Sequence, residues 1–265
     1  MGSATREALA SARAALTASA ASGATLAVGE ELFAASRVIG SSSQLATALA
    51  DPGADSAAKS ALVDAVFSSM SAPALALLRG IVASRWSGQD DVLAAVEELG
   101  LRAIAASAPS DARIEQELFA FGSAVASNAE LELAILNKLG SATAKSALVT
   151  SLLAGKASAQ KQAIVSQLVQ QPRGRRIGEL MRHAATVVAD EAGFGVATVT
   201  SATPIAPAQL QRLAAALSES YGRELRINQV VDSSILGGLR VQVGDDVIDG
   251  SIASRLNDVR IQLAG

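Results

Sequence analysis

The sequence predicts a mostly α-helical protein: an N-terminal antiparallel helical bundle with an internally duplicated segment, then a small α+β unit of order β-α-β-β-α. Three observations carry this expectation. From Thr5 to about Ala192 the chain is dominated by Ala, Leu, Glu, Arg and Gln, and apolar residues return at three- and four-residue steps, the period of one helix face. Glu31-Leu32-Phe33-Ala34 recurs as Glu117-Leu118-Phe119-Ala120, and Ala58-Lys59-Ser60-Ala61-Leu62-Val63 recurs as Ala144-Lys145-Ser146-Ala147-Leu148-Val149, both 86 residues further on. Past Gly193 the pattern changes to short β-rich runs broken by glycine. The expected division is a first helical copy at 1–107, a second at 108–192 and an α/β domain at 193–265.

In the helical part, Leu9, Arg13 and Leu16 share one side of a first helix, where the stem of Arg13 can cover apolar surface. Leu75, Leu78, Ile81, Val82 and Trp86 form a stripe on a later helix that Pro73 suits as a first-turn residue. Breaks are expected at Gly40 to Ser43, Asp51-Pro52-Gly53, Ser87-Gly88, Ala108-Pro109-Ser110 and Pro172-Arg173-Gly174, because these residues favour turns and caps. Helices this short must pack back on one another.

In the last part, Val196 to Thr200 reads as a strand. After Pro204 and Pro207 a helix carries Leu210, Leu213, Ala214 and Leu217 on one face and ends near Gly222. Leu225 and Ile227 alternate with charged residues in a second strand. Leu239, Val241 and Val243 alternate in a third, and Gly244-Asp245-Asp246 turns the chain into Val247-Ile248-Asp249. Ile252, Leu256, Val259 and Leu263 predict a final helix with Asp249 or Ser251 as its N-cap.

Composition excludes several functions. At 265 residues the chain is long enough for two modest domains. Half of it is hydrophobic, with a mean hydropathy of +0.33, but alanine supplies much of that. The uncharged run from Ala14 to Gly29 is 16 residues rich in Ala, Ser, Gly and Thr, short of the roughly 20 strongly apolar ones that a spanning helix needs. Glu7 in the would-be basic region and the lack of a leucine-rich core argue against a signal peptide, and the start misses the myristoylation pattern at Arg6. The expectation is a protein that stays in the cytoplasm. No cysteine and a single histidine, His183, leave no thiolate metal site and no usual zinc or triad constellation. A net charge of -3 and 3% aromatic residues argue against nucleic-acid binding.

The run from Val231 to Leu256 closely resembles the C-terminal signature of the delta subunit of F-type ATP synthase, the oligomycin-sensitivity-conferring type. Its marks are Gly237-Gly238 before a strand, the Gly244-Asp245 turn, Asp249-Gly250-Ser251 and Arg255-Leu256. Val199-Thr200-Ser201-Ala202-Thr203-Pro204-Ile205 is similar to the same family's strand-to-helix junction. These residues have plain structural uses: glycines for bends and close approach, Asp245 for a turn, Asp249 for a helix start. More loosely, Arg6 to Leu16 resembles the family's first helix and Pro73 to Trp86 its fifth, with Arg85 where a basic residue is usual. The ordinary family member is shorter, and the surplus here is expected between about Ser110 and Ala192, as in the longer delta subunits of actinobacteria.

The resemblance implies a non-catalytic peripheral-stalk, or stator, subunit with no cofactor and no metal. It would link the N-terminal helices of the alpha subunits to the b stalk, on the cytoplasmic face of the cell membrane and membrane-associated only through the complex. Leu9, Leu16, Leu78, Ile81, Arg85 and Trp86 are the partner-binding candidates it implies. A free-standing helical scaffold is the alternative reading. A magnesium site built from Asp232, Asp245, Asp246, Asp249 and Asp258 is conceivable, but turn and cap duties explain the first four equally well. Gly155-Lys156 lacks the rest of a phosphate loop. The basic cluster Arg173, Arg175, Arg176, Arg182 and His183 reads either as a docking patch or as a solvated helix start.

Overall fold

The computed structural model describes residues 2–20, 26–137 and 140–251. The chain divides into two compact units, Met1–Val188 and Ala189–Gly265. The helices, in order, are α1 (Ser3–Ala20), α2 (Leu26–Ser41), α3 (Ser43–Ala50), α4 (Ser56–Val66), α5 (Ala72–Ala83), α6 (Gln89–Ala106), α7 (Ile114–Ala126), α8 (Ala129–Leu136), α9 (Ala142–Leu153), α10 (Ala159–Gln170) and α11 (Ile177–Glu191). Among the described residues no single helix is long and apolar enough to cross a membrane.

The duplication is visible in how the helices begin. Ser42 caps α3 by accepting from the Leu45 amide at 3.3 Å, and Asn128 caps α8 by accepting from the Leu131 amide at 3.0 Å. Both satisfy an amide that the first helical turn leaves open. The N-caps of α5 and α10, Ser71 and Ser158, are each held by the glutamate of the repeated motif. The Ser71 amide and hydroxyl donate to the Glu31 carboxylate at 3.2 and 2.5 Å. The Ser158 amide and hydroxyl donate to Glu117 Oε2 at 3.2 and 3.0 Å. Lys59 of α4 and Lys145 of α9, equivalent positions, are both buried.

Two hydrophobic cores fill this unit. The first is built by α1 to α6, around Leu16, Leu32, Leu49, Leu78, Ile81 and Leu99. The second joins α7 to α11 with Leu101 and Ile104 of α6 and Phe33 of α2. Helix α6 therefore lies between the cores, and its neighbouring side chains serve opposite sides. Asp91 accepts from the Thr5 hydroxyl of α1 at 2.6 Å, while the Asp90 carbonyl accepts from Arg173 of the second repeat at 3.2 Å. Glu98 accepts from Arg13 of α1 at 2.7 Å, while Glu97 takes both arms of Arg175 at 2.9 and 2.7 Å. In a helix, adjacent residues project about 100° apart, so neighbours along the sequence reach different partners.

The second unit contains β1 (Gly195–Ser201), α12 (Pro207–Tyr221), β2 (Leu225–Val231), β3 (Leu239–Val243) and β4 (Asp246–Asp249). The sheet order is β2-β1-β3-β4, with β1 parallel to β2 and the other two pairings antiparallel. The parallel pair needs a crossover, and α12 supplies it. Pro207 stands in the first turn of α12, and Gly222 ends the helix at a φ of 64°. The strict alternation of burial along β1 packs Ala197 and Val199 against Leu217, Leu225 and Val241. Val247 and Ile248 enter as a fourth strand, β4, paired with Gln242 and Val241. The final helix expected from Ile252, Leu256, Val259 and Leu263 lies outside the described residues.

Candidate functional site

In the first repeat, α1 and α5 lie against the same core, α1 through Ala8, Leu9, Ala12 and Leu16 and α5 through Ala74, Leu77, Leu78 and Ile81. What these two helices leave exposed is mostly small. On α1 it includes Ala10, Ser11, Ala14 and Ala15, and on α5 Pro73, Ala76, Gly80 and Ala83. A Cβ built on Gly80 would meet nothing within 4 Å. Short side chains let the backbone of an incoming helix approach closely, and the buried leucines beneath make such a surface firm.

Of the six partner-binding candidates, Leu9, Leu16, Leu78, Ile81 and Trp86 are buried, between 0% and 6% exposed, and Arg85 is exposed. The Trp86 indole N–H donates to the Ile81 carbonyl at 2.7 Å, which closes the C-terminal turn of α5. These five side chains hold α1 and α5 in place, and the outward face belongs to other residues of the same helices. Gly80 was not among the candidates, because a glycine inside an apolar helix reads from sequence only as a weak helix position.

The signature residues of the second unit have structural duties. Gly237 and Gly238 have φ values of 129° and 83°, and a Cβ on Gly238 would stand 2.8 Å from the Ser251 Cα, so backbone passes where a side chain would sit. Gly244 and Asp245 form the two-residue loop between β3 and β4, with Gly244 at a φ of 60°. Asp249 Oδ1 accepts from the Ser251 amide at 3.0 Å, and that bond, with a further one from the Ser251 side chain, holds its carboxyl below the usual range. Asp232 Oδ1 accepts from the Ser234 hydroxyl at 2.6 Å and amide at 2.9 Å, and its carboxyl is lowered in the same way. Arg255 and Leu256, like Asp258, lie outside the described residues. Among the described residues no group of three or more acidic or histidine side chains is placed to hold a metal ion.

The basic cluster separates into two groups. Arg173 and Arg175 turn inward onto α6, as described above, whereas Arg176, Arg182 and His183 are exposed. Arg173 has a φ of 52° and precedes Gly174 at 78°, so the loop between α10 and α11 bends sharply enough to bring both arginines onto α6.

The described residues thus form a head of packed helical bundles with small residues exposed on α1 and α5, and a mixed-sheet unit whose acidic groups hold turns. The chain belongs to the ATP synthase delta (OSCP) family. The model of that family, described as the ATP synthase delta (OSCP) subunit, matches residues 100–263. The chain is 57% identical over 265 residues to ATP synthase subunit delta of Leifsonia xyli subsp. xyli, with 100% of each chain covered. It is 41% identical over 240 residues to ATP synthase subunit delta of Streptomyces avermitilis, covering 89% of this chain and 88% of that one. A chain in the cryo-EM structure of the Toxoplasma gondii mitochondrial ATP synthase hexamer aligns with a TM-score of 0.41 at 18% identity, covering 63% of this chain and 95% of that chain. Family membership makes the protein a non-catalytic peripheral-stalk subunit of an F-type ATP synthase.

The matched span corrects one expectation. It begins inside α6 and takes in the second repeat and the α/β unit, leaving α1 to α5 outside. The segment beyond the family model is therefore the first repeat, not residues 110–192.

Proposed function

We propose that the protein ties the catalytic head of the synthase to its membrane-bound stalk from the cytoplasmic face of the cell membrane, with the α1–α5 face receiving the N-terminal helix of an alpha subunit and the α/β unit holding the end of the b stalk. The observation that carries this reading is the exposed row of small residues on α1 and α5, set over a core of fully buried leucines. An amphipathic helix laid there would bury its apolar side chains against backbone and methyl groups, a helix-in-groove mode. Turning of the rotor would drag the head round unless it were anchored, so the joint must stay closed under repeated torque. Nanomolar affinity, about −12 kcal/mol, suits that demand. Exposed charges such as the Arg79–Asp64 pair, each side chain more than 40% exposed, contribute little to such an affinity, and apolar anchors must supply it.

The division of the helical head into a first copy at 1–107 and a second at 108–192, ahead of the domain at 193–265, belongs to the same proposal. The test is affinity purification of the tagged chain from detergent-solubilised membranes. Recovery of alpha, beta and b chains supports the reading. A clean monomer without any of them would sink it.

A further inference from the structure

Two copies of one helical unit suggest two docking faces, but the copies are not in the same situation. In the first, the side of α5 that carries Gly80 and Ser84 is open: Gly80 is exposed and Ser84, the C-cap, is half-buried. Aligning the N-caps Ser71 and Ser158 places Gln167 and Gln171 of the second copy where Gly80 and Ser84 stand in the first. Those two glutamines, half-buried, are hydrogen-bonded to α2. Arg37 donates to Gln167. The Ser36 hydroxyl donates to Gln171 Oε1 at 3.2 Å, and Gln171 Nε2 donates to the Ser36 carbonyl at 3.3 Å.

Helix α2 packs mainly against α6 and reaches α10 through its polar side chains. A Cβ on Gly29 would stand 2.8 Å from the Gly100 carbonyl oxygen, and one on Gly100 would stand 3.0 Å from the Phe33 ring. Phe33, 4% exposed, is the anchor, a member of the second core although it belongs to a first-repeat helix. Gly29, Phe33, Ser36 and Gly40 fall at four-, three- and four-residue steps along one stripe of α2, and Arg37 beside it adds its bond to Gln167. The counterpart of Phe33 in the second copy, Phe119, is only half-buried. The chain thus displays a helix seated on the α6–α10 side of the second copy, with an aromatic anchor between small residues.

Resting on the stator reading above, we infer that the second copy's helix-receiving face is filled by the chain's own α2, so that the duplicated head takes up one partner helix, on the first copy at Gly80, and not two. The second copy falls within the family match and the first lies outside it, so on this inference docking falls to the copy outside the match. Its α5 face keeps glycine and serine where the second copy has glutamines bonded to α2.

The experiment is isothermal titration of the full chain with a synthetic peptide of the N-terminal helix of its own alpha subunit. One peptide per chain is expected. Gly80→Leu, which places a branched side chain on an open face and favours the helix, should keep the circular dichroism spectrum and weaken binding about tenfold or more. Gln167→Ala, beneath α2, should leave affinity within a factor of about two. Two equivalent sites, or wild-type affinity after Gly80→Leu, overturn this inference and leave the stator reading standing. No binding by the wild-type chain overturns both.

Discussion

Replacing Arg175 by alanine tests how the two bundles are joined. Both arms of its guanidinium reach the Glu97 carboxylate, at 2.9 and 2.7 Å, and the two side chains are 21% and 6% exposed. Deleting one member of a pair this well buried leaves a carboxylate without its partner in a medium that solvates it poorly, at a cost of about 3–5 kcal/mol. In a helical unit of this size each kcal/mol lowers the midpoint of thermal unfolding by about 2–4 °C, so a fall of roughly 10 °C is expected. Trp86, the one tryptophan of the chain, lies in the first core and reports directly on that unit. Urea unfolding followed by its fluorescence should show a lower midpoint with an unchanged slope. Glu97→Gln introduced into the Arg175→Ala chain removes the unpaired charge and should recover more than half of the loss. A single-variant loss below about 1 kcal/mol would refute the reasoning, because it would put the pair in the class of solvent-screened surface bridges.

Other positions give equally direct outcomes. Glu31→Ala and Glu117→Ala each remove the carboxylate that holds a helix N-cap and should each cost about 1–2 kcal/mol in urea unfolding, with nearly additive effects because the two caps share no partner. Gly238→Ala requires a side chain at a φ of 83°, and its Cβ would press on the backbone at Gly250 and Ser251; loss of the sheet signal from the α/β unit, or a drop of at least about 2 kcal/mol, is expected by circular dichroism. The depressed carboxyls of Asp232 and Asp249 give a pH signature. A carboxyl lowered in the folded state stabilises above its unfolded value, near pH 4, and that contribution is lost as pH falls through the lower folded value. The Asp232→Asn, Asp249→Asn double variant should therefore melt below wild type at pH 7 and converge on it under acid conditions, and a constant gap would contradict the assignment.

Much of this was legible in the residues because the signals were local. The helix breaks, the repeat at 86 residues, the start and stop of α12 and the pairing of β3 with β4 each depend on a few neighbouring side chains. The proposed docking face was less legible, since an apolar stripe says which side of a helix is buried and not which exposed side is used. Leu9, Leu78, Ile81 and Trp86 were conspicuous because they are large, and large apolar residues in a helical head of this kind go to the core. Gly80 is small, and its importance comes from the space around it. The inward turn of Arg173 and Arg175 was likewise hidden, because a charge cluster is drawn to buried glutamates only once a second bundle has buried them.

Helix α6 explains how a duplicated head can hold together without a linker. Most of its residues from Val92 to Ile104 are buried, including Glu97, Glu98 and Arg102, which are polar groups that ordinarily face water. A helix buried on nearly all sides serves two cores, and each buried charge must find an opposite one. Glu97 finds it in the second repeat and Glu98 in the first, so the two copies share a common strut. A flexible connection would let each copy move separately and would leave α2 free to expose Phe33, whereas packing both copies on α6 fixes α2 against the second. The same contact, on the inference drawn above, occupies the second copy's helix-receiving face.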